Sequence, residues 1–183
     1  MPRLSKDFKK SISEIPVDEL QKLVIQAASK SQEIYDWINI RYVDGEKAKK
    51  QLFKETKDKA FGAVYAYSHR GVIQKSLAKA IGNALKHINY YVKVTNDFVG
   101  EAELLNSILQ FVFERFADEL GTCWTAFDSK LAVTTNRLYN LVAKKLHEDY
   151  RIEYLEYLNR YLKILHSESN HIDYIYNLPK SIE

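Results

Sequence analysis

Apolar side chains recur every three to four positions along nearly the whole chain, the spacing that gathers them on one face of an α-helix. The first clear case opens at IPVDELQKLV. Pro16 suits an opening turn, because its missing N–H would have no intrahelical partner there, and Asp18 and Glu19 sit where the helix dipole favours negative charge. At 100° per residue, Leu20, Leu23, Val24, Ala27, Ile34, Tyr35, Ile38 and Tyr42 fall on one side. That predicts a core-facing helix running to about residue 43, ended by Asp44–Gly45. Upstream, Ser5 can cap a short helix over 6–13.

The pattern continues in long segments. Residues 46–69 start lysine-rich and turn aromatic from Phe61, with Gly62 as a bend or a close helix contact. In VIQKSLAKAIGNALKHINYYVKV, Ile73, Leu77, Ile81, Ala84, Leu85, Ile88, Tyr91 and Val92 share a face opposite Lys75, Lys79, Lys86 and Lys93. Over 98–120 apolar residues cover about half the circumference, which predicts the most buried helix, with Gly121 as its left-handed cap. Further helices are predicted over 125–147 and 149–166, and the tail can dock Ile172, Ile175 and Leu178 before Pro179 stops it. The reading is all-α: a single-domain antiparallel helical bundle or short helical-hairpin array of five to six main helices, with 1–14 and 167–183 as loosely docked ends.

The helix over 149–166 carries Tyr150, Tyr154, Tyr157 and Tyr161 within about 60° of arc. Leu155, Leu158, Leu162 and Leu165 occupy the adjoining sector, so the rings form one wall of an apolar face. Tyrosine suits such an edge, its ring packed inward and its hydroxyl reaching water or a carbonyl. A base-stacking platform would pair rings with a basic groove. Here Arg160 and Lys163 project away from the tyrosines, and the structural reading prevails.

Composition narrows the class. Apolar residues at 46% can bury a core, and six glycines with three prolines leave few breakers. No run approaches the roughly 20 apolar residues that span a bilayer, so no membrane is expected. MPRLSKDFKK lacks the apolar stretch of a secretory signal. Cys123 is alone, which points to a reducing cytoplasm and to a small apolar side chain in the core. The net charge of +3 hides an uneven distribution. Residues 1–95 hold eighteen Lys and Arg against ten Asp and Glu, and residues 96–183 hold nine against fourteen. Such halves can attract each other, a second copy, or partners of opposite sign.

Candidate chemistry is sparse. The lysine line at Lys75, Lys79, Lys86 and Lys93 could take a phosphate backbone or an acidic protein, against the plainer reading of a solvated face. Glu101, Arg115 and Glu119 project within the apolar arc of their helix, where a charge must be paired or hydrated. Arg115 and Glu119, four apart, are the expected pair, and a small-molecule or metal site near them is the alternative. Histidines at 69, 87, 147, 166 and 171 are too scattered for a zinc pattern. Glu168–His171 has the spacing of half a di-iron carboxylate site, but its second copy is missing. No nucleophile elbow, Walker loop or dinucleotide fingerprint occurs. No cofactor, metal or catalytic residue is predicted.

The segment ISEIPVDELQKLVIQAASKSQEIYDWINIRYVDGEKAKKQ resembles the opening of an uncharacterised bacterial family of small all-helical proteins. The likeness lies in layout: a hydroxyl or acid before the first leucine-spaced helix, an aromatic-rich helix end, then a charged second helix. It covers about a quarter of the chain, and Asp44–Gly45 stands where the family pattern has a proline. The family has no assigned activity, so the resemblance implies a helical fold and carries over no functional residue. The expectation is a non-catalytic protein of protein–protein interaction or self-association, with nucleic-acid binding through the lysine face as the alternative.

Overall fold

A computed structural model of the chain describes residues 4–67 and 70–182. The described residues form helices and turns with no strand, so the chain is all-α. They are α1 (Lys6–Ser13), α2 (Val17–Lys30), α3 (Gln32–Ile38), a π-helical turn (Asn39–Val43), α4 (Gly45–Tyr65), α5 (Ile73–Thr95), α6 (Phe98–Phe116), a 3-10 turn (Ala117–Glu119), α7 (Ala126–Lys144), α8 (Glu148–Glu168) and α9 (Ile172–Ile175). Five of them, α4 to α8, are long. The chain divides into two compact units, residues 1–49 and 50–183, with the boundary just inside α4.

In the first unit Ser5 caps α1 by accepting from Phe8 N–H at 3.1 Å. The continuous helix expected from Pro16 to residue 43 is broken. Ser31 is extended (φ −139°, ψ 113°), and its hydroxyl accepts from Ile34 N–H at 3.4 Å to start α3. A serine competes with the backbone for hydrogen bonds and favours a cap over a helix interior. The expected core face is also absent: none of the described residues of 4–49 is buried.

The second unit holds the core. α5 packs on α6 and α7, α6 on α7 and α8, and α7 on α8 and α9. α6 is buried along Leu104, Leu105, Ile108, Leu109, Val112 and Phe113, as its broad apolar arc predicts. α5 contributes Leu77, Ile81, Ala84, Ile88 and Tyr91. Within α4, Thr56, Ala60 and Val64 are buried, and a Cβ on Gly62 would meet nothing within 4 Å, so that glycine makes no close helix contact.

The turns show why they are tight. Asn96 is left-handed (φ 54°) after α5, and Asp97 caps α6 by accepting from Gly100 N–H. Gly121 lies at φ +69°, beyond the 3-10 turn rather than directly on α6, and an added Cβ would collide with the Glu168 carbonyl oxygen. The tail is held by named contacts: Ile175 and Leu178 are buried, whereas Ile172 is exposed. Asn159 grips the Ile182 backbone twice, donating to its C=O at 3.1 Å and accepting from its N–H at 2.9 Å.

Candidate functional site

All four lysines of α5, Lys75, Lys79, Lys86 and Lys93, are exposed, and they span about 27 Å of one helix face. No acid lies on that helix. The lysines are not bare charges, however. Lys75 Nζ sits 4.2 Å over the Trp124 ring, Lys86 donates to Asn83 Oδ1 at 3.1 Å, and Lys93 has an interaction of its own.

The three charges of the α6 arc go different ways. Glu101 is buried at 6% exposure. Its partner is Arg137 of α7, whose Nε and Nη2 both donate to Glu101 Oε1, at 2.9 and 2.7 Å, while Nη1 donates to Asn89 Oδ1 at 2.6 Å. That clasp joins α5, α6 and α7. Periodicity marked Glu101 as an inward charge but gave no way to find Arg137, thirty-six residues away. Arg115 is exposed rather than buried, and it does not pair with Glu119. α6 gives way after Phe116 to a tighter turn, which breaks the four-residue spacing the pairing needed. Glu119 instead accepts from Gln74 Nε2 at 2.7 Å.

Arg115 lies on an aromatic cluster. Its guanidinium carbon is 4.8 Å from the Phe111 ring centroid and 5.7 Å from that of Tyr65. Phe61 and Phe116 meet Phe111 edge-on, at 5.6 and 6.3 Å, and Tyr67 meets Phe116 at 5.0 Å. An open cleft of about 520 Å³ is lined there by Val64, Tyr65, Tyr67, Phe111, Arg115 and Phe116. The sequence showed the aromatic back half of α4 but not which helix would face it.

On α8, Tyr154 and Tyr161 are buried, with Leu158, Leu162 and Leu165, while Tyr150 and Tyr157 remain exposed at the rim. Tyr161 stacks on Phe113 at 4.8 Å and donates to Asn106 Oδ1 at 3.0 Å. Burial pushes the Tyr154 phenol up to about 12, with Glu103 and Glu153 adding to the shift. Burial also raises Tyr161 and Tyr91, the latter helped by its hydrogen bond to Asp97. A phenol in apolar surroundings resists ionisation because its charged form loses water. These rings are structural and hold their protons.

Cys123 is exposed, not in the core, on the connection between Gly121 and α7. Glu168 and His171 do not gather with other ligands: among the described residues no three His, Cys, Asp or Glu side chains form a metal-holding group. His69 lies outside the described residues. Between them, Ser169 Oγ donates to Asp128 Oδ2 at 2.7 Å, and Gly121 N–H donates to the same oxygen at 3.2 Å. Asp128 is fully buried, so this carboxylate ties α7 to the connection before it and to the C-terminal end of α8. No helix among the described residues is long and apolar enough to cross a membrane.

Comparison of the chain with protein-family models, with curated proteins and with solved structures found no match.

Proposed function

We propose that this is a non-catalytic, cytoplasmic protein that self-associates through its N-terminal helices. The observation that carries the reading is the exposure of the apolar face of an amphipathic segment. From Leu4 to Val43, thirteen large apolar side chains are exposed, among them Phe8, Leu20, Leu23, Val24, Ile34 and Tyr35, and none of the described residues of 4–49 is buried. Many large apolar side chains exposed on neighbouring helices point to an interaction site, since fully burying one such side chain gains about 1.5–3 kcal/mol.

A second copy is the occupant best matched by charge. α2 begins with Asp18 and Glu19 and ends with Lys30, so two α2 helices laid antiparallel about a two-fold axis bring opposite charges together at both ends. Residues 1–49 hold nine Lys and Arg against eight Asp and Glu, a balance that does not oppose self-pairing. Sedimentation of the full chain across concentration and salt tests the reading. A concentration-dependent dimer, lost in Leu23→Glu while the thermal unfolding of the core over residues 50–183 stays unchanged, is expected. A strict monomer at high concentration and low salt overturns it.

Nucleic-acid binding is the second reading, favoured by the exposure of Lys75, Lys79, Lys86 and Lys93 on an acid-free helix. Binding that weakens with salt, and that is lost when all four become glutamate, is its signature in a gel shift. Unchanged binding in that variant dismisses the face.

A further inference from the structure

The cleft beside Arg115 lies wholly within the second unit and is independent of the self-association reading. Three features set it apart from an ordinary core edge. Its walls are aromatic: Tyr65 tilts against Phe111 at 4.8 Å, and Phe116 stands edge-on to Phe111, so ring faces and edges meet an open space of about 520 Å³. That volume is in the range of small-molecule sites, about 300–1,000 Å³. The side chain over the rings is arginine rather than lysine. No carboxylate among the described residues pairs with it.

The guanidinium is planar. Its carbon lies over the Phe111 and Tyr65 rings, and its N–H donors remain for a partner. Those donors match two oxygens of one carboxylate, and such charge-assisted pairs are about twice as strong as neutral ones. The short distance from guanidinium to ring also limits what fits. An anion on Arg115 and a ring on Phe111 lie within a few bonds of each other, which excludes a long spacer between them.

We propose that this cleft binds a small planar aromatic carboxylate, its ring packed against Phe111, Tyr65 and Phe116 and its carboxylate on the Arg115 guanidinium. Apolar walls supply most of the affinity and Arg115 supplies the selection for charge. Because Arg115 is exposed, Arg115→Gln removes that selection without disturbing the core.

Isothermal titration of the full chain with naphthoate, with its neutral isostere naphthamide, and with acetate tests the proposal. Naphthoate is expected to bind at least about tenfold more tightly than either of the others, the share of a charge-assisted pair formed at a partly exposed site. In Arg115→Gln, of unchanged melting temperature, naphthoate falls to the level of naphthamide, and Arg115→Lys restores part of the difference. Equal affinities for naphthoate and naphthamide, affinity for naphthoate that Arg115→Gln leaves intact, or no heat with naphthoate up to its solubility limit would each overturn it.

Discussion

Arg137→Met tests the buried clasp and separates charge from packing. The substitution keeps most of the side-chain volume but leaves the Glu101 carboxylate, 6% exposed, without both of the N–H donors on its Oε1. Removing one partner of a buried pair costs about 3–5 kcal/mol, because the remaining charge keeps its desolvation penalty and loses its compensation. The Arg137 side chain is 31% exposed, which lets water reach the gap and moves the expectation to the lower end, about 3 kcal/mol. At roughly 2–4 °C per kcal/mol for a chain of this size, the melting temperature should fall by about 6–12 °C.

Urea unfolding followed by far-ultraviolet circular dichroism measures the change, and a double-mutant cycle assigns it. Glu101→Met with Arg137→Met removes both charges and both hydration penalties, so the double variant should be more stable than Arg137→Met alone and within about 1 kcal/mol of the parent. Glu101→Gln keeps an acceptor for Arg137 and should cost about 1–2 kcal/mol. If Arg137→Met loses less than about 1 kcal/mol, or if the double variant is the least stable of the set, the clasp is not a desolvated pair.

Three other perturbations follow from the geometry. Gly121→Ala places a side chain in left-handed backbone and against the Glu168 carbonyl, and should cost about 2–3 kcal/mol in urea unfolding; a neutral result would mean the two loops do not touch. Tyr154, Tyr161 and Tyr91 all have raised phenol pKa values, so below about pH 10 they leave stability unchanged, and above it the unfolded chain loses protons that the folded chain keeps. Stability should therefore fall as pH rises past about 10, by roughly 1.4 kcal/mol per pH unit for each buried phenol, until that phenol ionises in the fold. Spectrophotometric titration should show part of the thirteen tyrosines ionising only on unfolding, and a single ordinary transition with the helices intact would contradict the burial. Asn159→Ala removes both bonds to Ile182 and should speed amide exchange there without moving global stability by more than about 1 kcal/mol; unaltered exchange would show that burial of Leu178 alone holds the tail.

Helix periodicity carried most of the secondary structure because it depends only on local spacing. α5, α6 and α8 appear within a few residues of where Ile73, Phe98 and the tyrosine run put them. What failed in each case depended on a competing local bond or a distant partner. Ser31 looks in sequence like any polar helix residue, and its capping of Ile34 shows only once the backbone is placed. Arg115 and Glu119 were the right spacing apart on an ideal helix, but the helix narrows to a 3-10 turn between them. Cys123 was placed in the core from residue type alone, and type says little about a residue on a connection.

The largest departure from the periodicity lies at Leu20, Leu23, Val24, Ile34 and Tyr35, which are exposed. Their spacing predicts that one face of the helix is to be covered, and that inference is sound; it says nothing of which chain does the covering. In α5 the same signal is answered within the chain, since Leu77, Ile81 and Ile88 are fully buried. In α2 and α3 the side chains are just as apolar, yet Leu20, Leu23, Val24, Ile34 and Tyr35 remain exposed. A helix of fourteen residues such as α2 is marginal in water on propensity alone, and most helical stability comes from packing an apolar face. The persistence of α2 in solution is thus coupled to whatever covers that face, and association and helix formation should rise together with concentration. Far-ultraviolet circular dichroism of the full chain should gain helical signal over the concentration range in which the dimer forms, and in Leu23→Glu it should show no such rise.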